Sequence, residues 1–273
     1  EAVHQMRVAS RRLRAALGLF ADQLPRRKVR AWRKEIRRLT RALGAARDTD
    51  VQLEFVHQRL DQTPSAYLAT GLKRLALRLD QQRQRQQRDV TRALDELTSS
   101  DALQAMPDDL RRLAGRAARQ SDRNDPTALL GHARGAINER LDELLSFEQF
   151  VEQPHMSEQL HQMRIAAKRL RYSMEVYAPL YRDELATPLK RVRKTQGLLG
   201  DLHDLDVWIE MLPQFIEDER QRTQEFFGHL RGFKRVKAGL DHLREHCIGE
   251  REKVYADFVA TWRNFQKKGV WTK

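Results

Sequence analysis

HQMRVASRRLRAALGLF at residues 4–20 returns at residues 161–177 as HQMRIAAKRLRYSMEVY, with His, Gln, Met, Arg, Ala, Arg, Leu and Arg unchanged at corresponding places. An offset of 157 residues is far longer than the period of a solenoid repeat, and points instead to one duplication of a half-molecule. Wound at about 100° per residue, the first copy gathers Met6, Ala9, Leu13, Ala16, Leu17 and Phe20 on one side. That side is the expected core face. His4, Arg7, Arg11 and Arg14 fall within an arc of roughly 80° elsewhere on the helix, with Arg12 between the two groups. In the second copy Met163, Ala166, Leu170 and Met174 point inward, while His161, Arg164, Lys168 and Arg171 form the cationic row and Arg169 takes the place of Arg12. A single such row would be read as a solvated face; its recurrence at matching positions favours a ligand.

The similarity continues downstream. Residues 29–51 correspond to residues 185–207 at an offset of 156. Val29, Trp32, Ile36, Leu39 and Leu43 follow the three-and-four spacing of a packed helix. Lys34, Arg37, Arg38 and Arg41 lie beside that seam, matched by Lys190, Arg193 and Lys194, with Gly197 in place of Arg41. Gly44 and Gly200 are expected to end these helices, with Asp48 and Asp204 capping the next. Asp50 and Asp206 could instead orient guanidinium groups. His203 stands where the first copy has Arg47, as either an anion contact or a turn-stabilising group.

The chain has 51 Lys+Arg against 38 Asp+Glu, a formal charge of +13. Residues 1–41 hold 13 basic and 3 acidic residues, and residues 161–194 hold 9 and 3, so the whole excess sits in the two related segments. A field so directed predicts a polyanionic ligand. Low Gly and Pro content and abundant Ala, Leu, Arg, Glu and Gln predict an all-α fold. Stretches near 64–99 and 220–247 are expected as further helices, and SDRNDP at 121–126 as the boundary between halves 1–125 and 126–273. The glutamine-rich run 81–92 reads as an exposed helical face, or else an extra binding surface. The terminal segment 264–273 reads as a loose tail, or as a docking element through Trp271.

Cys247 is the only cysteine, which fits a reducing, cytoplasmic setting. No apolar run reaches the roughly 18 residues of a membrane span, and no secretory signal is visible. A start at Glu1 suggests a trimmed segment. No P-loop or HExxH zinc motif is present, and the acidic pairs Asp48/Asp50 and Asp204/Asp206 read as caps or arginine partners before they read as metal ligands. Catalysis, a cofactor and a bound metal are therefore not expected. Aromatic residues make up only 7% of the chain and no finger or RRM signature occurs, which ranks nucleic acid below a ligand without bases.

The paired H-Q-M-R-[VI]-A-x-[RK]-R-L-R segments, followed by basic second helices and R-D-T-D-V or H-D-L-D-V, resemble the CHAD family, the conserved histidine α-helical domain. The resemblance covers essentially residues 1–273 as one domain. It implies two helical bundles related by approximate two-fold symmetry, basic residues lining a shared central surface or pore, binding of inorganic polyphosphate and association with polyphosphate granules. On that basis the contacts are Arg7, Arg11, Arg14, Lys34, Arg37, Arg41, Arg164, Lys168, Arg171, Lys190, Arg193 and Lys194. His4 and His161 join them as phosphate donors when protonated. Arg12, Arg38 and Arg169 could contact polyphosphate or turn toward carboxylates of the bundle. Sulfate or phosphate could occupy part of the same surface. Storage, targeting to granules and delivery to a separate polyphosphate-metabolising enzyme remain open, as does general polyanion binding.

Overall fold

The computed structural model describes residues 2–63, 65–120 and 126–271, without side chains at Ala2, His4, Ala117, Ala118, Gln120, Pro126 and Thr127. The expected boundary near 121–126 lies outside the described residues, as does the side chain of His4. Helix is the only extended secondary structure among them: α1 Ala2–Leu19, α2 Arg26–Gln62, α3 Ala66–Thr98, α4 Asp101–Gln104, α5 Met106–Gln120, α6 Pro126–Leu145, α7 Ser157–Tyr177, α8 Ala186–Phe227 and α9 Phe233–Lys267.

These helices supply two compact units that differ from the contiguous halves expected at 125/126. One unit takes residues 1–51, 81–140 and 172–185; the other takes 52–80, 141–171 and 186–273. Most of the unit boundaries fall inside helices. α2, α3, α6 and α7 each begin in one unit and end in the other.

The first unit is built on the apolar stripe of α2. Val29, Trp32 and Ile36 are buried with Leu17 of α1 against Leu103 of α4 and Met106 and Leu110 of α5. The Trp32 indole N–H donates to the Ala102 carbonyl at 3.0 Å, so this large ring buries no unmatched donor. One turn further, Leu39, Leu43 and Ala46 pack on Val90 and Ala93 of α3, with Val3 and Met6 of α1 at the margin. Ala9, expected inside, is exposed. Within the 81–92 run, Val90 is buried while most of its neighbours are exposed.

The second unit packs Val56 of α2 and Leu72, Leu75 and Leu79 of α3 against Leu205, Trp208 and Leu212 of α8, and against Val236, Leu240, Leu243 and Cys247 of α9. Burial pushes the Cys247 thiol up to about 11, which keeps it unreactive. Met163, Ala166, Leu170 and Met174 of α7 are all buried, as their spacing predicts.

Two contacts settle backbone problems within the second unit. α8 runs through Pro213, which has no N–H to give the Ile209 carbonyl one turn back. Arg244 of α9 supplies the missing donor, its Nε reaching Ile209 O at 3.3 Å. Where α3 crosses α9, Gly71 meets Gly239; a Cβ on Gly71 would overlap the Val236 carbonyl and lie 2.9 Å from Leu240 N.

Several boundary expectations are corrected. α2 and α8 continue past Gly44 and Gly200, so Asp48 and Asp204 lie inside helices and cap nothing. A single glycine costs a helix interior only about 1 kcal/mol, and the packed stripe on either side outweighs it. The 220–247 stretch is broken between Phe227 and Phe233, where Gly228 and Gly232 both adopt positive φ. Trp271 is not loose: it stacks on Trp262 at 5.1 Å and meets the edge of Phe265 at 5.8 Å.

Candidate functional site: two cationic clusters

The first cluster belongs to the first unit. Arg7, Arg11 and Arg14 descend one side of α1 at intervals of four and three residues, and Arg33 and Arg37 meet them from α2. Burial, then the like charges of Arg37, Arg33 and Arg11, hold the Arg14 guanidinium below its ordinary pKa. The same holds for Arg7: burial and the charges of Arg11 and Arg47 outweigh the opposing pull of Asp48, which it contacts at 2.8 Å. Cations crowded enough to depress one another form a site short of negative charge. A cleft of about 530 Å³ extends it along α2, lined by Arg26, Arg30, Arg33, Lys34 and Arg37, with Asp22 as its acidic member. Arg41 is exposed on the same helix.

The second cluster belongs to the second unit. His161, Arg164 and Lys168 of α7 lie beside His203 of α8, and the two imidazole centroids are 4.0 Å apart. Burial, His161 and Arg164 push His203 down to about 4. Burial and then Arg164 lower His161 as well. Both rings are therefore neutral near pH 7 in the ligand-free protein, rather than standing ready as charged donors. Asp201 is pushed up by burial against the pull of Arg164. Lys190, Arg193 and Lys194 are exposed on α8, and Arg171 is half-buried at the end of this unit's share of α7.

The three ambiguous arginines all face carboxylates. Arg12 lies 3.7 Å from Glu175, Arg38 is 2.9 Å from Glu96, and Arg169 pairs with Glu143. Asp50 and Asp206 hold guanidinium groups, Arg83 at 2.7 Å and Arg251 respectively. Among the described residues no group of three His, Cys, Asp or Glu side chains is placed to hold a metal ion.

One detail unites the clusters. Arg7 and Arg164 occupy equivalent places in the duplicated motif, and in each the Nε–H is buried without a hydrogen-bond partner. An unmatched buried donor costs about 1–3 kcal/mol, which a hydrogen-bond acceptor brought to it would offset.

Sequence reasoning passed over Arg26, Arg30, Arg33 and Arg47. The first three were legible: with Arg37 they repeat at four, three and four residues, one face of a helix. Arg47 was aligned with His203 but given no role, because the helix was expected to end before it.

The described residues thus form an all-helical protein that carries a cationic cluster at each copy of the repeated sequence motif. The CHAD domain family model matches residues 1–213, and the chain belongs to this family, which is associated with polyphosphate binding. The crystal structure of the CHAD domain from the plant Ricinus communis is similar, with a TM-score of 0.63 and 26% identity over 94% of this chain and 81% of that one. Two uncharacterised proteins from two strains of Mycobacterium tuberculosis are each 31% identical over 221 residues, 78% of this chain. The chain spans 40% of their length. Among the described residues no helix is long and apolar enough to cross a membrane.

Proposed function

We propose that this chain binds inorganic polyphosphate without turning it over, and that this binding associates it with polyphosphate granules. The observation that carries the reading is the pair of buried, unpartnered Nε–H groups on Arg7 and Arg164, each set among further cations. A phosphate chain offers anionic oxygens at regular intervals and no base to stack or read. Guanidinium forks and ammonium point charges suffice for it. The shared central surface implied by the sequence resemblance belongs to this proposal, with delivery of polyphosphate to a separate enzyme as a further role.

The experiment is binding of long-chain polyphosphate to the wild type and to Arg7→Ala/Arg164→Ala, with folding checked by circular dichroism and with single- and double-stranded nucleic acid as competitors. The expected result is at least about a tenfold loss in the variant, since two charge-assisted contacts are removed, and weak competition by nucleic acid. Equal competition would replace polyphosphate with a general polyanion. Release of orthophosphate during incubation would overturn the non-enzymatic part.

A further inference from the structure

The turn between α8 and α9 lies beyond residues 1–213, the part that matches the family model, and it has features that polyphosphate has no use for. Phe226 is 82% exposed, Phe227 56% and Leu230 37%. The two phenyl rings meet edge to face at 4.8 Å. Gly228 and Gly232, both at positive φ, tighten the turn, and Phe233 behind it is buried and anchors the start of α9. The apolar side chains are thus held out from the helix pair.

Cations ring them. Residues 221–236 contain Arg222, Arg231, Lys234 and Arg235 against Glu225 alone, and all four basic residues are exposed. α3 adds to the rim from the side: Arg74 and Arg78 border the same cleft as Arg222, Phe226 and Phe227, and the Arg235 guanidinium lies over the exposed Tyr67 ring at 5.9 Å. The rim is fixed in place by Glu219, which is fully buried and receives Arg222 at 2.7 Å, Arg78 at 2.6 Å and Arg74 at 3.0 Å.

We infer that this turn is a peripheral membrane-docking tip, in which Phe226, Phe227 and Leu230 enter the headgroup region of an anionic phospholipid surface while Arg231, Lys234 and Arg235 bind its phosphates. A projecting apolar tip with a cationic collar matches a lipid interface, where apolar side chains sink below the headgroups and basic ones stay level with them. A protein groove would be matched by a more enclosed apolar surface with fewer uncompensated charges. Docking of this kind needs no spanning helix.

The test is flotation of the full chain with vesicles of phosphatidylcholine and phosphatidylglycerol, and with vesicles of phosphatidylcholine alone. Wild type is expected to float with the mixed vesicles only. Phe226→Ser/Phe227→Ser, changed at exposed positions and checked for retained folding, is expected to lose about tenfold in bound fraction, with polyphosphate binding unchanged. Arg7→Ala/Arg164→Ala is expected to float like wild type, which separates this inference from the polyphosphate reading. Failure of wild type to float, or undiminished flotation of the Phe variant, would overturn the inference; the second result would assign vesicle binding to the general basic charge. A environment-sensitive dye on His229→Cys supplies an independent readout, since insertion shifts its emission to the blue and surface adsorption does not.

Discussion

At the residue scale, the neutral histidine pair makes both stability and binding depend on pH, in opposite directions. His203 falls from an ordinary 6.5 to about 4 on folding, so between those values the unfolded chain holds more protons than the folded one. Stability is therefore complete above about pH 6.5 and declines as pH falls toward 4. Urea midpoints measured across this window should drop for wild type and flatten for His203→Gln. On the proposed function, by contrast, polyphosphate bound beside His161 and His203 would favour their protonated forms, so affinity should rise between pH 7.5 and pH 5.5. Titration calorimetry in buffers of different ionisation enthalpy should show proton uptake on binding; an affinity that stays flat while the protein remains folded would remove the histidines from the site.

Glu219 makes the complementary case. Burial raises its pKa, but hydrogen bonds from Arg78, Arg222 and Arg74 outweigh that and hold the carboxyl below its usual range. Glu219→Gln leaves three guanidinium groups around a neutral amide, and should cost about 3 kcal/mol of unfolding free energy, read from denaturant melts.

At the element scale, glycine has opposite meanings in two helices. Gly71 sits at a backbone crossing with no room for a methyl group, whereas nothing lies within 4 Å of a Cβ on Gly44. Gly71→Ala should destabilise by about 1–3 kcal/mol through overpacking. Gly44→Ala should stabilise by about 0.5–1 kcal/mol, because alanine gives up less chain entropy in a helix interior. Thermal melts of the two variants check both signs. The contrast also shows what the sequence could carry. The α2 stripe of Val29, Trp32, Ile36, Leu39 and Leu43 is readable because burial imposes the helical period on residue type. Whether a glycine ends a helix or passes through it depends on packing by distant residues, as does the route by which Arg244 reaches the carbonyl that Pro213 leaves bare. Within the site, the cationic rows are legible for the same reason as the core stripe. Which arginines are taken up by Glu175, Glu96 and Glu143 is not, since those carboxylates arrive from other parts of the chain.

At the scale of the whole molecule, a charge of +13 concentrated in two related segments makes binding a problem of counterions as much as of contacts. Each phosphate neutralised by Arg or Lys releases a condensed cation, so the logarithm of affinity should fall linearly with the logarithm of salt concentration. Raising salt from about 50 to about 200 mM should weaken binding by at least tenfold, and Arg7→Ala/Arg164→Ala should show a shallower slope. Fluorescence anisotropy with labelled polyphosphate at four salt concentrations measures both.

The interleaving of the two units along the chain also bears on the order in which their cores can close. On the ribosome, Leu72, Leu75 and Leu79 emerge well before the residues that bury them, Leu205 and Trp208 of α8 and Val236 and Leu240 of α9. Residues 172–185 join the first unit later. The clusters of the first unit draw on residues between Val3 and Leu110, whereas the core of the second unit waits for α8 and α9, and the nascent chain carries the bare leucine stripe of α3 over that interval. The second core is therefore the later of the two to close, and the interval leaves a chaperone something to hold.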